Sequence, residues 1–226
     1  VNEKVPGEPP APDTAPLTPF QLEVSSAFFD LPESCGFLLA GGAALVAQHL
    51  IHRPTRDLDF FTSLTDAVPV AADAFRTLAG RRGWQVTTIR EASSFVRMHL
   101  HHGADEVLVD LAVDAAPGLP PSMTVAGPTL DPVELAGRKL IALFDRAEPR
   151  DFADVYVLAQ RYGRDELLAQ ATRIDIGITV EALAEMFETL DRLSDDDLPL
   201  EQHRVDEVRR FFATWTGDLR SPGSRD

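Results

Sequence analysis

The sequence predicts an α+β fold: a mixed sheet with flanking helices, followed by an all-helical C-terminal half. Three observations carry this expectation. Residues 84–113 hold three closely spaced stretches, WQVTTI, SFVRMHL and EVLVDLAV, with the β-branched or alternating apolar character of strands. Beyond Pro120-Pro121 the apolar residues recur at helical spacing. With 226 residues and 44% hydrophobic composition, the chain can bury a sizeable core.

In chain order, residues 1–16 are proline-rich and poor in hydrophobes, and are expected to form a disordered tail. Thr18-Pro19 has the form of an N-cap with proline at the first helical position, opening a helix to about Asp30. FLLAGG (37–42) reads as a short buried strand ending in a glycine turn, AALVAQHL as the helix after it, and LDFF as a second strand. A helix over 68–83 stops at Gly83, and the three strands above complete the sheet. Asp131, Pro132 and Glu134 give a helix start with the capping-box spacing, and the helix runs through GRKLIALFDRA. A second helix, RDFADVYVLAQRYG, is closed by Gly163, and further helices are expected at 165–172, 179–193 and 200–215. The predicted organisation is a tail over 1–16, an α/β domain over 17–120, a helical domain over 121–216 and a flexible tail over 217–226.

Composition narrows the function. The net charge of -15 argues against a non-specific nucleic-acid coat, because phosphate binding needs clustered cations. The negative excess is concentrated at 181–197, while arginines 53, 56, 76, 81, 82, 90 and 97 leave room for a local basic face. The lone Cys35 excludes an intramolecular disulfide and a cysteine zinc site, so the cytoplasm is the expected compartment. No apolar run approaches the roughly 18 residues of a membrane span, so no membrane partner is expected. Of 21 basic residues only Lys4 and Lys139 are lysines. A lone lysine in the folded body suggests a place where a compact ammonium is required.

Asp57 and Asp59 are separated by one residue, so in a strand both point to one face while Leu58 and Phe60 point to the other. Side-by-side carboxylates are best tolerated around a cation, and Mg²⁺ is held by one or two carboxylates plus substrate phosphates. The competing reading is an exposed strand face with ordinary surface aspartates. Asp110 interrupts another apolar strand and is the candidate third ligand, with Asp114 as its competitor. Gly41 and Gly42, between a strand and a helix, would let backbone N–H groups approach a phosphate. His49, His52, His99, His101 and His102 are read as surface or edge-strand polarity rather than metal ligands.

GGAALVAQHLIHRPTRDLDFF resembles the first motif of the nucleotidyltransferase superfamily, in detail that of the AbiEii/AbiGii-type toxin branch, which includes the MenT-like toxins. GRKLIALFDRAEPRDFADVYVL is similar to that branch's later motif, in which a lysine on one helix precedes an Arg-Asp-aromatic-x-Asp segment on the next. The resemblance implies a nucleotidyltransferase-type sheet. It implies Asp57 and Asp59 as catalytic metal ligands, with Thr55 as the hydroxyl before them, and Lys139 on the nucleotide phosphates. Asp154 is implied as the polar partner from the helical half. Asp151 lies on nearly the same helix face, and only the resemblance selects Asp154. Arg53 joins Gly41, Gly42, Thr55 and Lys139 as an expected nucleotide contact, and Arg146 and Arg150 are near enough to serve as phosphate contacts or to pair with the acids. The implied activity moves a nucleoside monophosphate from an NTP to a hydroxyl acceptor, the 3′ end of tRNA, using Mg²⁺ or Mn²⁺. The implied context is a toxin with a cognate antitoxin. Two alternatives keep the fold: a small-molecule or protein side-chain acceptor, and a non-catalytic nucleotide-binding or interaction module.

Overall fold

Helix capping sets the entrance to the fold. In the computed structural model, which describes residues 17–221, α1 (Pro19–Phe29) begins with a closed capping box. The Thr18 hydroxyl accepts from the Gln21 backbone, and the Gln21 side-chain oxygen accepts from the Thr18 N–H. The Gln21 amide then donates to the Thr55 carbonyl at 2.9 Å, tying this helix to the loop that leads into the site. The expected 1–16 tail lies outside the described residues.

Seven strands follow: β1 (Phe37–Ala40), β2 (Asp57–Thr62), β3 (Gln85–Ala92), β4 (Phe95–His102), β5 (Asp105–Val113), β6 (Ser122–Thr124) and β7 (Gly127–Thr129). They form one sheet in the order β3-β4-β5-β2-β1-β7-β6. The β2/β5 and β1/β7 pairs are parallel and the others antiparallel. The period of two then sorts the side chains. Leu58, Phe60, Val96, Met98, Leu100, Val107, Val109 and Leu111 are buried on one face, against α1 and α3 (Ala67–Arg81). Phe60 stacks on Phe28 of α1 at 4.2 Å between ring centres. The other face carries the aspartates.

Helix α2 (Gly41–Ala47) begins at the glycine pair itself, so Gly41 and Gly42 form its first turn instead of a turn ahead of it. After Pro121 the chain does not pass directly to helices. The β6–β7 hairpin, not anticipated from sequence, extends the sheet beside β1. Ser25 Oγ of α1 donates to the Ala126 carbonyl at 2.6 Å, pinning its turn. Gly127, at φ +102°, faces the Phe29 ring so closely that a Cβ would lie 2.3 Å from it.

The helices of the second half are α4 (Pro132–Arg146), α5 (Pro149–Tyr162), α6 (Arg164–Ile174), α7 (Val180–Glu188) and α8 (Gln202–Arg220). Asp131 caps α4 by accepting from Val133 and Glu134. Glu134 does not complete the expected capping box: its carboxylate instead accepts from the Gly118 and Leu119 N–H groups and pairs with Arg138. The expected 179–193 helix is shorter, ending at Glu188 before a 3₁₀ turn. Of the tail expected at 217–226, residues 217–220 belong to helix α8, whose last turn has an apolar anchor in the buried Leu219, and residues 222–226 lie outside the described residues. Gly137 allows α4 and α6 to cross closely, and Phe152, Phe187, Phe212 and Trp215 pack edge-on and tilted in the helical core. Among the described residues, no helix is long and apolar enough to cross a membrane.

Candidate active site

Register brings the acids together. In the parallel β2/β5 pair Asp59 stands opposite Asp110, and Asp57 is two residues earlier on the same face. An open cleft of about 300 Å³ lies over them. One side is lined by Asp57, Asp59, Asp110 and Arg97, and the other by Arg138, Lys139, Arg146 and Arg150, with Gly41 and Gly42 at the edge. Gly41 has φ +59°, and a Cβ there would fall 1.8 Å from Asp59 Oδ2, so this carboxylate occupies space that only glycine leaves open.

The aspartates differ in their partners. Thr55 Oγ1 donates to Asp57 Oδ1 at 2.8 Å. Asp110, 4% exposed, accepts both arms of Arg97 at 2.7 and 2.5 Å across the β4/β5 pair. Asp59 has neither a hydrogen-bond donor nor an ion-pair partner among the described residues. Burial, then the charges of Asp57 and Asp110, raise its carboxyl to about 7, against the weaker pull of Lys139 and Arg146.

The cationic wall is anchored by an ion network whose carboxylates are buried. Lys139 Nζ is 3.3 Å from Asp151 Oδ1 and 3.1 Å from Asp154 Oδ2. Arg146 grips Asp151 with two bonds of 2.8 and 2.9 Å. Arg53 does the same to Asp154 at 2.8 and 2.5 Å. Burial alone would raise the Asp151 carboxyl, but the Arg146 hydrogen bond and the Lys139 charge hold it below the ordinary range. Asp154 raises the Arg53 guanidinium against the burial that lowers it.

Of the residues singled out by sequence, Gly41, Gly42, Asp57, Asp59, Asp110 and Lys139 meet at the cleft, as do Arg146 and Arg150. Arg53, Thr55 and Asp154 stand behind it as hydrogen-bonding supports. Asp114 is turned away, held by Arg138 and its own loop at Ala115. Both Asp151 and Asp154 point inward, at 0% and 2% exposure, so the choice between them posed by the sequence does not arise. Sequence reasoning missed Arg97 and Arg138 as cleft residues. An arginine in an alternating strand was the only signal for Arg97, and its aspartate partner depends on pairing register.

Comparison with known proteins identifies the family and the fold. The family described as nucleotidyl transferase AbiEii toxin, type IV TA system, matches residues 25–221. JHP933 from Helicobacter pylori has a similar structure, with TM-score 0.54 and 16% identity over 91% of this chain and 96% of that one. MenT4, a nucleotidyltransferase toxin from Mycobacterium tuberculosis, is similar at TM-score 0.53 and 14% identity, over 89% of this chain and 90% of that one. No curated protein matches the chain. At these identities the structural likeness speaks to the fold, while the family match spans the sheet, the cleft and the helical half. The chain therefore belongs to the AbiEii nucleotidyl transferase toxin family of type IV toxin–antitoxin systems and is a nucleotidyltransferase.

Proposed function

We propose that the protein transfers a nucleoside monophosphate from an NTP to the 3′ end of tRNA, releasing pyrophosphate, in a reaction that requires Mg²⁺, with Mn²⁺ as substitute. The observation that carries the reading is Asp59, an unpartnered and half-buried carboxylate between Asp57 and Asp110, faced by a wall of four cations. An all-oxygen donor set with unbalanced negative charge fits a hard divalent ion. Asp57 and Asp59 would hold it, with Asp110 as the third carboxylate once Arg97 yields. When bound, the ion would neutralise the triphosphate and stabilise the attacking and departing oxygens.

The chain's own groups do the rest. Thr55 orients Asp57, Gly41 and Gly42 keep the cleft edge free of side chains, and Lys139 presents a fixed ammonium toward the phosphates. Asp151 and Asp154 position that ammonium, and Arg53 in turn fixes Asp154. Arg146 and Arg150 offer further phosphate contacts. Preorganised charge of this kind supplies most of the catalysis in phosphoryl-type transfer. The acceptor assignment rests on the family resemblance, as does a cognate antitoxin, and such a reaction belongs in the cytoplasm.

The test is incubation with each labelled NTP and separate pools of tRNA, protein and small molecules. Label is expected in tRNA, and Asp57→Ala should reduce it at least ~100-fold with the circular dichroism unchanged. Full activity in Asp57→Ala would remove the proposal. Label in the protein or small-molecule pool would replace the acceptor.

A further inference from the structure

His99 and His101 sit two residues apart on β4, so both rings project from one face of the sheet. It is the same face that carries Arg97 and Asp110 further along the strands. Directly across from His101 on β5 is Glu106. His99 Nε2 is 3.3 Å from Glu106 Oε2, and His101 Nδ1 is 3.8 Å from that same oxygen. The remaining nitrogens, His99 Nδ1 and His101 Nε2, are 3.1 Å apart.

We propose that His99, His101 and Glu106 form a Zn²⁺ site on the open face of the sheet, separate from the carboxylates of the cleft. Each neutral imidazole has one N–H and one lone pair. The ring-to-ring hydrogen bond uses one of each, so of the two nitrogens facing Glu106, His99 Nε2 and His101 Nδ1, one carries a proton and the other turns a lone pair toward the carboxylate. A cation turns that opposition into ligation.

The spacing suits the ion. One ligand atom from each of the three residues lies within 4.8 Å of the other two. Ligands at about 2.0–2.2 Å around a tetrahedral Zn²⁺ stand roughly 3.4 Å apart, a contraction that small side-chain rotations supply. Two imidazole nitrogens and one carboxylate favour Zn²⁺ over Mg²⁺, which goes to oxygen donors. Three protein ligands leave a fourth position for water or an anion, and all three residues are at least partly open to solvent, so the ion has a path in. Strand pairing on both sides of β4 fixes the backbone before any metal arrives. Arg97, the next residue on this face, stands opposite Asp110, and the His99–Leu108 pair separates it from Glu106 in the strand register.

The experiment is Zn²⁺ titration of the untagged full chain against a chromophoric chelator, in excess Mg²⁺ to fill the cleft. A Co²⁺ visible spectrum reports coordination geometry. One equivalent should bind tighter than about 10 μM, with a tetrahedral Co²⁺ spectrum. His99→Ala, His101→Ala and Glu106→Gln should each weaken it at least ~10-fold, while Asp59→Asn retains it. The proposal is overturned if the wild type takes up no Zn²⁺ at that concentration, or if the His99→Ala/His101→Ala double variant binds as well as wild type. It is equally overturned if Asp59→Asn alone abolishes binding. Should a histidine variant fail to fold, the imidazole NMR signals of the wild type decide. Two rings shifted by one equivalent of Zn²⁺ support the site, and unshifted rings dismiss it. None of these readouts depends on nucleotidyl transfer.

Discussion

Gly41 and Asp59 are a single unit at the residue scale, because the absent side chain of one is the room taken by the other. Gly41→Ala places a methyl where Asp59 Oδ2 now lies, at a φ that L-residues rarely adopt. It should cost about 1–3 kcal/mol in thermal denaturation and displace Asp59 enough to suppress transfer. Asp59 itself predicts a pH dependence. Its folded carboxyl is raised to about 7 from an ordinary value near 4, so between these limits the folded state binds the extra proton. Its contribution to the stability of the metal-free protein is therefore present at low pH and lost as pH rises through about 7. Asp59→Asn should melt higher than wild type at pH 8 without metal, the gap narrowing toward pH 5. Mg²⁺ should raise the wild-type melting temperature more at pH 8 than at pH 5.5, and an equal rise at both would contradict the assignment. The Asp57/Asp59 pair was legible in the sequence because period two is local. The Arg97–Asp110 pair was not, since strands β4 and β5 could pair in several registers and only one makes these residues face.

Whole elements divide the same way. Helices α1 and α4 announce themselves by Thr18-Pro19 and Asp131-Pro132, signals contained in a few residues. The β6–β7 hairpin has three-residue strands, the second containing Gly127 and Pro128, too short to show a period. Its place depends on Ser25 and Phe29, about a hundred residues away. Nor could the sequence reveal how closely α4 passes α6. An ideal Cβ on Gly137 would stand 2.5 Å from Gln170 Cβ, so Gly137→Val must push the helices apart. The expected cost is about 1–3 kcal/mol by chemical denaturation. Because α4 carries Lys139 and Arg138 into the cleft, activity should fall further than stability alone explains. A variant as active and stable as wild type would show that the crossing does not position the site.

At the scale of the molecule, the sheet half and the helical half share one contiguous apolar core and are joined by the Arg53–Asp154–Lys139–Asp151 ion network. The two tryptophans report on them separately: Trp84 is buried beside α1, and Trp215 in the helical core. Single-tryptophan variants should therefore unfold in coincident denaturant transitions, and Arg53→Met should lower both midpoints together. Since Lys139 still pairs with Asp154, the loss should be about 2–3 kcal/mol, below that for stripping a buried charge bare. Separate transitions would mean two independently folding units. The same network gives the molecule an unusual chemical handle. Lys139 is the one primary amine among residues 17–221, and it is buried between two carboxylates. Acylating reagents thus find a single lysine target in the folded body, lining the cleft and shielded by its burial and its two carboxylate partners. The rate at which that amine is modified reports how freely the cleft is reached, read by mass spectrometry at one position, and a nucleotide seated there should slow it.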